Sequence, residues 1–434
     1  MGFITCKFGG TSLADATCFQ KVKKIILSNP ERRYIVPSAP GKRTPEDKKI
    51  TDLLYAWHTL VEQGLDAGQV QALIADRFLG ISRDLGLKTD VKSILAEIES
   101  QCAKHREPDF LASRGEYISG ILLAEFLGAT FVDPADYVRF DDEGALDPAT
   151  YEKLGERLRG DGLFVIPGFY GATPDGRIRT FSRGGSDVSG SIVARATGSR
   201  LYENWTDVSG FRMADPRLVP EARRIEEITY QELRELSYMG ANVLHDEAIF
   251  PVREPGIPIN IKNTNEPDNP GTLIVATRTA REPVCGIAGR TGFAMVNIEK
   301  ALMNKERGFG RRVLAIFEEN GISFEHLPTS IDTMSVIVRE EELGPHGSVI
   351  VKQIERACSP DRVTIVNDLA LIATVGQGMA GRVGVAATLF TALANAGVNV
   401  RVIDQGSSEN NIIVGVASKD LKAAVQAIYR AFAS

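Results

Sequence analysis

A chain of 434 residues, 43% of them hydrophobic, is longer than one ordinary domain and apolar enough to build packed cores, so it predicts two to four domains and excludes a disordered chain. A formal net charge of −6, with no Lys/Arg block, excludes an electrostatic nucleic-acid surface and points to small ligands. The five cysteines are odd in number, widely separated and free of any CxxC pair, which excludes a disulfide framework or a cysteine zinc site and predicts a reducing, cytoplasmic setting.

The start, "MGFITCKFGG", lacks the basic-then-apolar layout of a signal peptide and puts Cys6 where N-myristoylation wants Ser or Thr. No apolar run reaches spanning length, so no membrane partner is expected. "FITCKFGG" reads as a buried strand stopped by a glycine pair. "ADATCFQKVKKIILSNP" reads as a helix and "YIVPSAPG" as the next strand. From about Thr51 to Gly128 the pattern is helical, which predicts an insertion of helices near a substrate cleft. Strand signals return at "TFVDPADYV", "GLFVIPGFYG", "RLYENWTDV" and "IPINIKNT", with helices at "SGSIVARATG" and "TYQELRELSYMG". One mostly parallel sheet with helices on both faces absorbs this order, and the turn-rich "NTNEPDNPGTLI" closes a first domain near residue 280.

Beyond residue 280 the chain repeats itself. Gly321 aligns with Gly397, Ile322 with Val398, Met303 with Met379 and Gly308 with Gly384, a constant offset of 76 residues. Each copy reads strand, helix, strand, strand, helix, but the second has no fourth strand of its own. The unpartnered "VCGIAGR", residues 284 to 290, is expected to supply it, so that the two modules interlock. "GQGMAG", residues 376 to 381, matches GxGxxG with Asp404 ending the next strand. Too little chain follows for a dinucleotide sheet, so a strand-to-helix turn that needs its glycines for close packing or a small ligand is the better reading.

No GxxxxGK[ST] loop is present, yet "KFGGTS" places Lys7 before a Gly-Gly turn that opens a helix, where N–H groups attract phosphate. "VPSAPGK", "SRGGSD" and "WTDVSGFRMADPR" are similar turns after strand candidates, and loops at the carboxyl ends of one parallel sheet share a rim. In "TFSRGGSDVSGS", Gly184 and Gly185 let backbone N–H groups approach an anion, Arg183 can fork a carboxylate and Asp187 can answer an ammonium. Phosphate loops beside an amino-acid binder point to phosphoryl transfer onto a carboxylate, which is ionised at neutral pH and needs no general base.

Taken in order, "KFGGTS", "SRGEYISG", "SRGGSD", "WTDVSG", "VLH" and "NPGTLI" resemble aspartate kinases of the amino-acid kinase fold, and the tandem repeat resembles their paired ACT domains; nearly the whole chain is covered. The resemblance implies an α/β architecture, an αβα three-layer kinase domain over 1–280 followed by two interlocked βαββαβ ACT modules, at 291–366 and at 367–434 with strand 284–290. It implies transfer of the ATP γ-phosphate to L-aspartate with Mg²⁺, giving 4-phospho-L-aspartate, the first step toward lysine, threonine and methionine. By position, Lys7 is then the phosphate-binding and catalytic lysine, with Gly9, Gly10 and Thr11 as its loop. Ser38 and Thr51 contact substrate or phosphate, Ser186 contacts substrate, Glu116 and Asp187 hold the aspartate ammonium and order the centre, and Arg183 takes a carboxylate. Thr206, Asp207, Arg212 and Arg217 line the nucleotide.

Two positions depart from the family pattern. Arg212 stands where a tyrosine is frequent, and Asn242 replaces the lysine of "GAKVLH", a cation for which Lys262 or Arg212 could substitute. For the effector, the matching positions are Met303, Glu306, Phe309, Gly310, Phe324, Glu325 and Ser330. Met303 and Phe309 serve equally well as packing residues. Glu325 stands where lysine-sensitive relatives commonly carry aspartate, and an acid there suits a cationic side chain, so the resemblance implies lysine as effector first and threonine second, in a homodimer or dimer of dimers assembled through the ACT modules. The alternatives are a kinase for glutamate or N-acetylglutamate, which would not be expected to have this insertion and ACT pair, and a catalytically silent sensor, suggested by Asn242.

Overall fold

In chain order, β1 (Ile4–Phe8), α1 (Ala16–Leu27) and β2 (Arg32–Pro37) form a strand, helix, strand unit with the two strands parallel, and α2 (Ile50–Glu62), α3 (Gly68–Leu85), α4 (Val91–Cys102) and α5 (Pro108–Leu127) fill the region read as a helical insertion. There follow β3 (Thr130–Phe131), α6 (Ala149–Arg157), β4 (Phe164–Val165), β5 (Tyr170–Ala172), β6 (Ile178–Thr180), α7 (Gly185–Ala196), β7 (Leu201–Thr206), β8 (Glu227–Thr229), α8 (Tyr230–Tyr238), α9 (Phe250–Arg253), β9 (Ile259–Asn263) and β10 (Thr272–Val275). The computed structural model describes residues 2–102, 107–182, 184–241, 243, 244 and 246–433. By contact, Met1–Phe211, Glu226–Tyr230 and Asn242–Arg278 make one unit, and Arg212–Ile225, Gln231–Ala241 and Thr279–Ser434 make the other.

The first unit is built on a sheet of order β3-β4-β2-β1-β7-β9-β10-β8, parallel except where β10 runs against β9. All five residues of β1 are buried, as a central strand covered on both faces requires. Its neighbours fix the register: Lys7 lies beside Asn204, and Cys6 beside Glu203. Side chains alternate between faces, so Lys7 and Cys6 project to opposite sides. The stretch "GLFVIPGFYG" is not one strand. Pro167 has no N–H to donate, a Cβ at Gly168 would lie 2.8 Å from Ser186 Cβ, and Phe169 takes φ 81°, so β4 and β5 are separate. Helix α5 is buried along most of its length. It lies close because Gly115 faces Ala39 and Gly120 faces Pro167, where added Cβ atoms would sit 2.7 and 2.6 Å from the neighbouring carbons.

In the second unit β11 (Gly286–Glu299), α10 (Phe309–Glu319), β12 (Phe324–His326), β13 (Thr333–Arg339), α11 (Glu340–Leu343), α12 (Gly347–Cys358), β14 (Arg362–Val375), α13 (Val385–Asn395), β15 (Val402–Asp404), β16 (Asn411–Ala417) and α14 (Leu421–Ala433) follow one another. The sheet is antiparallel, ordered β12-β13-β11-β14-β16-β15. Residues 286 to 291 of β11 pair with 370 to 375 of β14, which pair in turn with β16. The two repeats are more continuous than separate strands would make them. Both β11 and β14 run 14 residues through both modules, bending where the register shifts between Thr291 and Met295. The offset of 76 is also conformational: Gly308 and Gly384 occupy the same place before α10 and α13 with φ of 76° and 96°, a region that favours glycine. In "GQGMAG", Gly376 and Gly378 lie against the Pro283 and Glu282 carbonyls with no room for side chains, a close-packed turn.

Candidate active site

Two glycine turns of the first unit converge because their strands are neighbours, whereas the third, at Gly184, follows β6 of the separate antiparallel β5-β6 pair and not a strand of the parallel sheet as its sequence suggested. After β1, Gly9 N–H donates to Trp205 O of β7 at 2.9 Å, and Ser38 N–H at the end of β2 donates to Phe8 O at 3.0 Å. The first two turns then meet backbone to backbone, with Gly41 N–H donating to Gly10 O at 2.8 Å. A Cβ at Gly10 would lie 2.9 Å from Ala39 O, and one at Gly41 would lie 2.7 Å from Gly10 C. Thr11 follows in the 3₁₀ turn Gly10–Leu13. Gly41→Ala is therefore expected to lower stability by roughly 1–3 kcal/mol through overpacking and to reduce turnover as the turns move apart; urea unfolding and a phosphorylation assay on the same preparation check both.

Lys7, Ser38, Thr51, Glu116, Phe169, Gly184, Gly185, Ser186 and Asp187 line one cavity of about 210 Å³. Six of the residues singled out in the sequence for catalysis or substrate contact thus meet in one place. Beside it, a cavity of about 1280 Å³ shares Thr51, Phe169 and Gly184 and is edged by Lys49, Arg177 and Arg179. Inside the smaller cavity Lys7 Nζ lies 2.5 Å from Asp187 Oδ1, which also accepts from Asn204 Nδ2 at 2.8 Å. Asp187 sits in the first turn of α7, and the Tyr202 hydroxyl donates to its carbonyl at 3.0 Å, so both ends of the residue are fixed.

Glu116 is 4% exposed, and its Oε2 has no hydrogen-bond partner. Burial pushes its carboxyl up to about 8, against the lowering pull of the Ala39 and Glu116 backbone N–H groups, the Lys7 charge and the Ser186 hydroxyl. An orphaned carboxylate oxygen in a cavity next to a paired lysine is a place for an incoming cationic group. The opposite face of β1 and β7 holds another buried charge. Glu203 takes Arg32 Nε at 2.8 Å and Trp205 Nε1 at 2.9 Å, and the buried Cys6 thiol donates to it at 3.4 Å. Lys262 stacks over Trp205 on that face, with its ammonium 5.1 Å from the ring centroid. It lies on the face of the sheet opposite Lys7.

Thr206 and Asp207 stand at the end of β7, next to the Gly9 turn, with the Thr206 hydroxyl donating to Asp207 Oδ1 at 3.2 Å. Arg183, Asn242 and His245 lie outside the described residues. Arg212 and Arg217 fall in the second unit. There Arg212 Nη1 donates to Ala222 O at 2.8 Å, and the exposed Arg217 pairs with Asp215 at 2.6 Å. Sequence reasoning missed Phe169 and Asn204. The proline-glycine break inside "PGFYG" marks the first as a turn residue; for the second, its place beside Lys7 follows only from strand register.

Among the effector positions, Met303 and Phe309 are buried in the core of the first repeat with Val313, Val336 and Ile350. Glu306 is paired with Lys300 at 2.6 Å and with Arg312. Glu325 accepts Arg339 Nε at 3.0 Å and the Tyr238 hydroxyl, so both acids already have partners. Gly310 lies in the first turn of α10, Phe324 is half-exposed on the edge strand β12, and Ser330 N–H donates to Thr333 O at 2.8 Å in an exposed loop.

The amino acid kinase family profile matches residues 3–263 and an ACT domain profile matches 372–432. Aspartokinase 3 of Bacillus subtilis (strain 168) is 40% identical over 448 residues, covering 98% of each chain. The crystal structure of Clostridium acetobutylicum aspartate kinase superposes with a TM-score of 0.92 at 48% identity, covering 100% of both chains. E. coli aspartokinase III has a TM-score of 0.79 at 27% identity in its complex with aspartate and ADP, and of 0.77 at 26% in its complex with lysine and aspartate, again over 100% of both chains. With its glycine turns gathered around Lys7, Asp187 and Glu116 and this likeness along its whole length, the chain belongs to the amino acid kinase family, as an aspartokinase.

Proposed function

We propose that the cavity around Lys7 binds L-aspartate and the ATP γ-phosphate together and that its residues act as follows. Glu116, ionised by the approach of a cation, holds the aspartate ammonium. Ser38, Thr51 and Ser186 hold its carboxylates with Arg183, and Lys7 meets the transferred phosphoryl group. Asp187 and Asn204 keep Lys7 pointed into the cavity, and the N–H groups of Gly10 and Thr11 face the phosphates. The observation behind this reading is the meeting of a paired lysine and an orphaned buried carboxylate in one cavity. The side-chain carboxylate of aspartate is the nucleophile; its ordinary pKa leaves it ionised, so positioning and cations supply the catalysis.

Magnesium fits as a companion of the nucleotide. Among the described residues no group of three or more potential ligands is present, and Mg²⁺ bound mainly by phosphates and water needs only one or two carboxylates. Asp207, exposed at the end of β7, would supply one of them. When bound, the ion neutralises charge on the phosphate oxygens.

The ACT pair receives the feedback signal. The lysine complex of E. coli aspartokinase III supports lysine as effector, and the exposed Leu302, Phe324 and Ile331 of the first repeat support assembly of subunits through these modules. No helix among the described residues is long and apolar enough to cross a membrane. In a hydroxamate assay with Mg-ATP, aspartate is expected to turn over and glutamate and N-acetylglutamate are not; turnover of either of the latter at a comparable rate defeats the assignment. Calorimetry with lysine, threonine and methionine, singly and in pairs, identifies the effector, with lysine expected to bind and to weaken aspartate by the same factor that aspartate weakens lysine.

A further inference from the structure

Helix α3 contributes Ile74, Phe78 and Ile81 to the core of the first unit and, from the same face, Arg77, which is only 3% exposed. Its guanidinium lies under the active-site turns. Nη1 donates to Gly41 O at 2.6 Å and, at the limit of a hydrogen bond, to Ala14 O at 3.5 Å. Nη2 donates to Asp47 Oδ2 at 2.5 Å and to Lys48 O at 3.4 Å, while Nε is buried without a partner. A charge with an unsatisfied donor is a poor means of filling space in a helical insertion, where an apolar side chain would be at least as stable. What distinguishes this guanidinium is the identity of its acceptors.

Gly41 ends the turn that begins at Ser38, and its N–H is already bonded to Gly10 in the turn that begins at Lys7. Ala14 ends that second turn. Asp47 and Lys48 lie on the segment that returns the chain to α2, where Ile50 N–H donates to Pro40 O at 3.2 Å and Thr51 lines the cavity. One planar cation therefore ties together the three segments that deliver Lys7, Ser38 and Thr51. Five donors in a fixed fork can serve several acceptors at set angles, which the single ammonium of a lysine cannot.

We propose that Arg77 is a positioning residue for phosphoryl transfer: through Gly41, Ala14 and Asp47 it holds the turns bearing Ser38 and Lys7 and the segment bearing Thr51 at the separation that substrate requires. The inference rests on the reading of Ser38 and Thr51 as aspartate contacts. A displacement of about 1 Å at such a site is worth up to about 100-fold in rate.

The test compares Arg77→Met, Arg77→Lys and Ser38→Ala in the full chain by the hydroxamate assay, with kcat normalised to the folded fraction from thermal unfolding. Arg77→Met is expected to raise KM for aspartate at least about tenfold and to lower normalised kcat, and Arg77→Lys to fall between it and wild type. If Arg77 only supports the fold, both substitutions lower the folded fraction and leave KM for aspartate and normalised kcat at wild-type values; that result, with Ser38→Ala raising KM, overturns the proposal. Ser38→Ala without effect removes the substrate reading itself, and the proposal with it. Should Arg77→Met fail to fold, Arg77→Lys decides alone: a rise in KM of at least about threefold supports the role and a wild-type KM ends it.

Discussion

Lys7→Met is expected to lower kcat for aspartyl phosphate formation by about 10³-fold or more, the range seen when one phosphoryl-stabilising cation is removed from a transferase. Lys7 is the cation among the described residues that lines the 210 Å³ cavity. It is held 2.5 Å from Asp187 and projects from β1, whose residues are all buried. Methionine keeps the unbranched stem and its packing, so what is lost is the charge. The loss also leaves Asp187 with Asn204 as its remaining side-chain donor. Breaking a buried pair is worth about 3–5 kcal/mol when nothing answers the survivor; the Asn204 bond and the adjoining cavity should reduce that to about 1–3 kcal/mol. The double variant Lys7→Met/Asp187→Asn separates the two effects. It is expected to regain most of the thermal stability and none of the turnover, whereas regained turnover would mean that Lys7 serves only to neutralise Asp187.

The parts of this site that could be read in the sequence are those whose chemistry is local. Glycine turns after strands are set by backbone sterics, so "KFGGTS", "VPSAPGK" and "SRGGSD" announced themselves, and Lys7, Ser38 and Asp187 followed. The ACT repeat was legible for the same reason: Gly308 and Gly384 are required by a left-handed backbone at equivalent helix starts. What escaped is what depends on distant partners. Arg77 meets Gly41 across 36 residues and Glu325 meets Tyr238 across 87, and neither carries a local signal for its partner. Phe169 was hidden inside an apolar run that reads as one strand until Pro167 and Gly168 are seen to divide it. Nor could periodicity show that residues 212–225 and 231–241 group with the C-terminal unit, since that follows from tertiary contact alone.

Glu116→Gln is expected to weaken the enzyme and strengthen the fold. In the free protein the carboxyl titrates at about 8, so at neutral pH most molecules hold it protonated, its burial outweighing the help of the Ala39 N–H and Lys7. An ammonium arriving at the orphaned Oε2 favours the ionised form, and binding must then release a proton. The kcat/KM for aspartate should therefore rise with pH up to about 8 and level off above it. Glutamine accepts the same backbone bond but presents no charge, so the variant should lose about 10²-fold in kcat/KM for aspartate and lose that pH dependence, with KM for ATP little changed.

Stability must move the other way. The unfolded carboxyl loses its proton near its ordinary 4.5, well below the folded value, so between those two pH values the folded state binds more protons than the unfolded one and the wild type loses stability as pH rises. By pH 7 the deficit approaches about 3 kcal/mol, 1.36 kcal/mol for each unit above 4.5. Urea unfolding at pH 5, 7 and 8 should show the variant overtaking the wild type by a margin that widens across that span. A constant margin would mean that Glu116 is ionised throughout, and a proton would then not be exchanged for the substrate ammonium at this position.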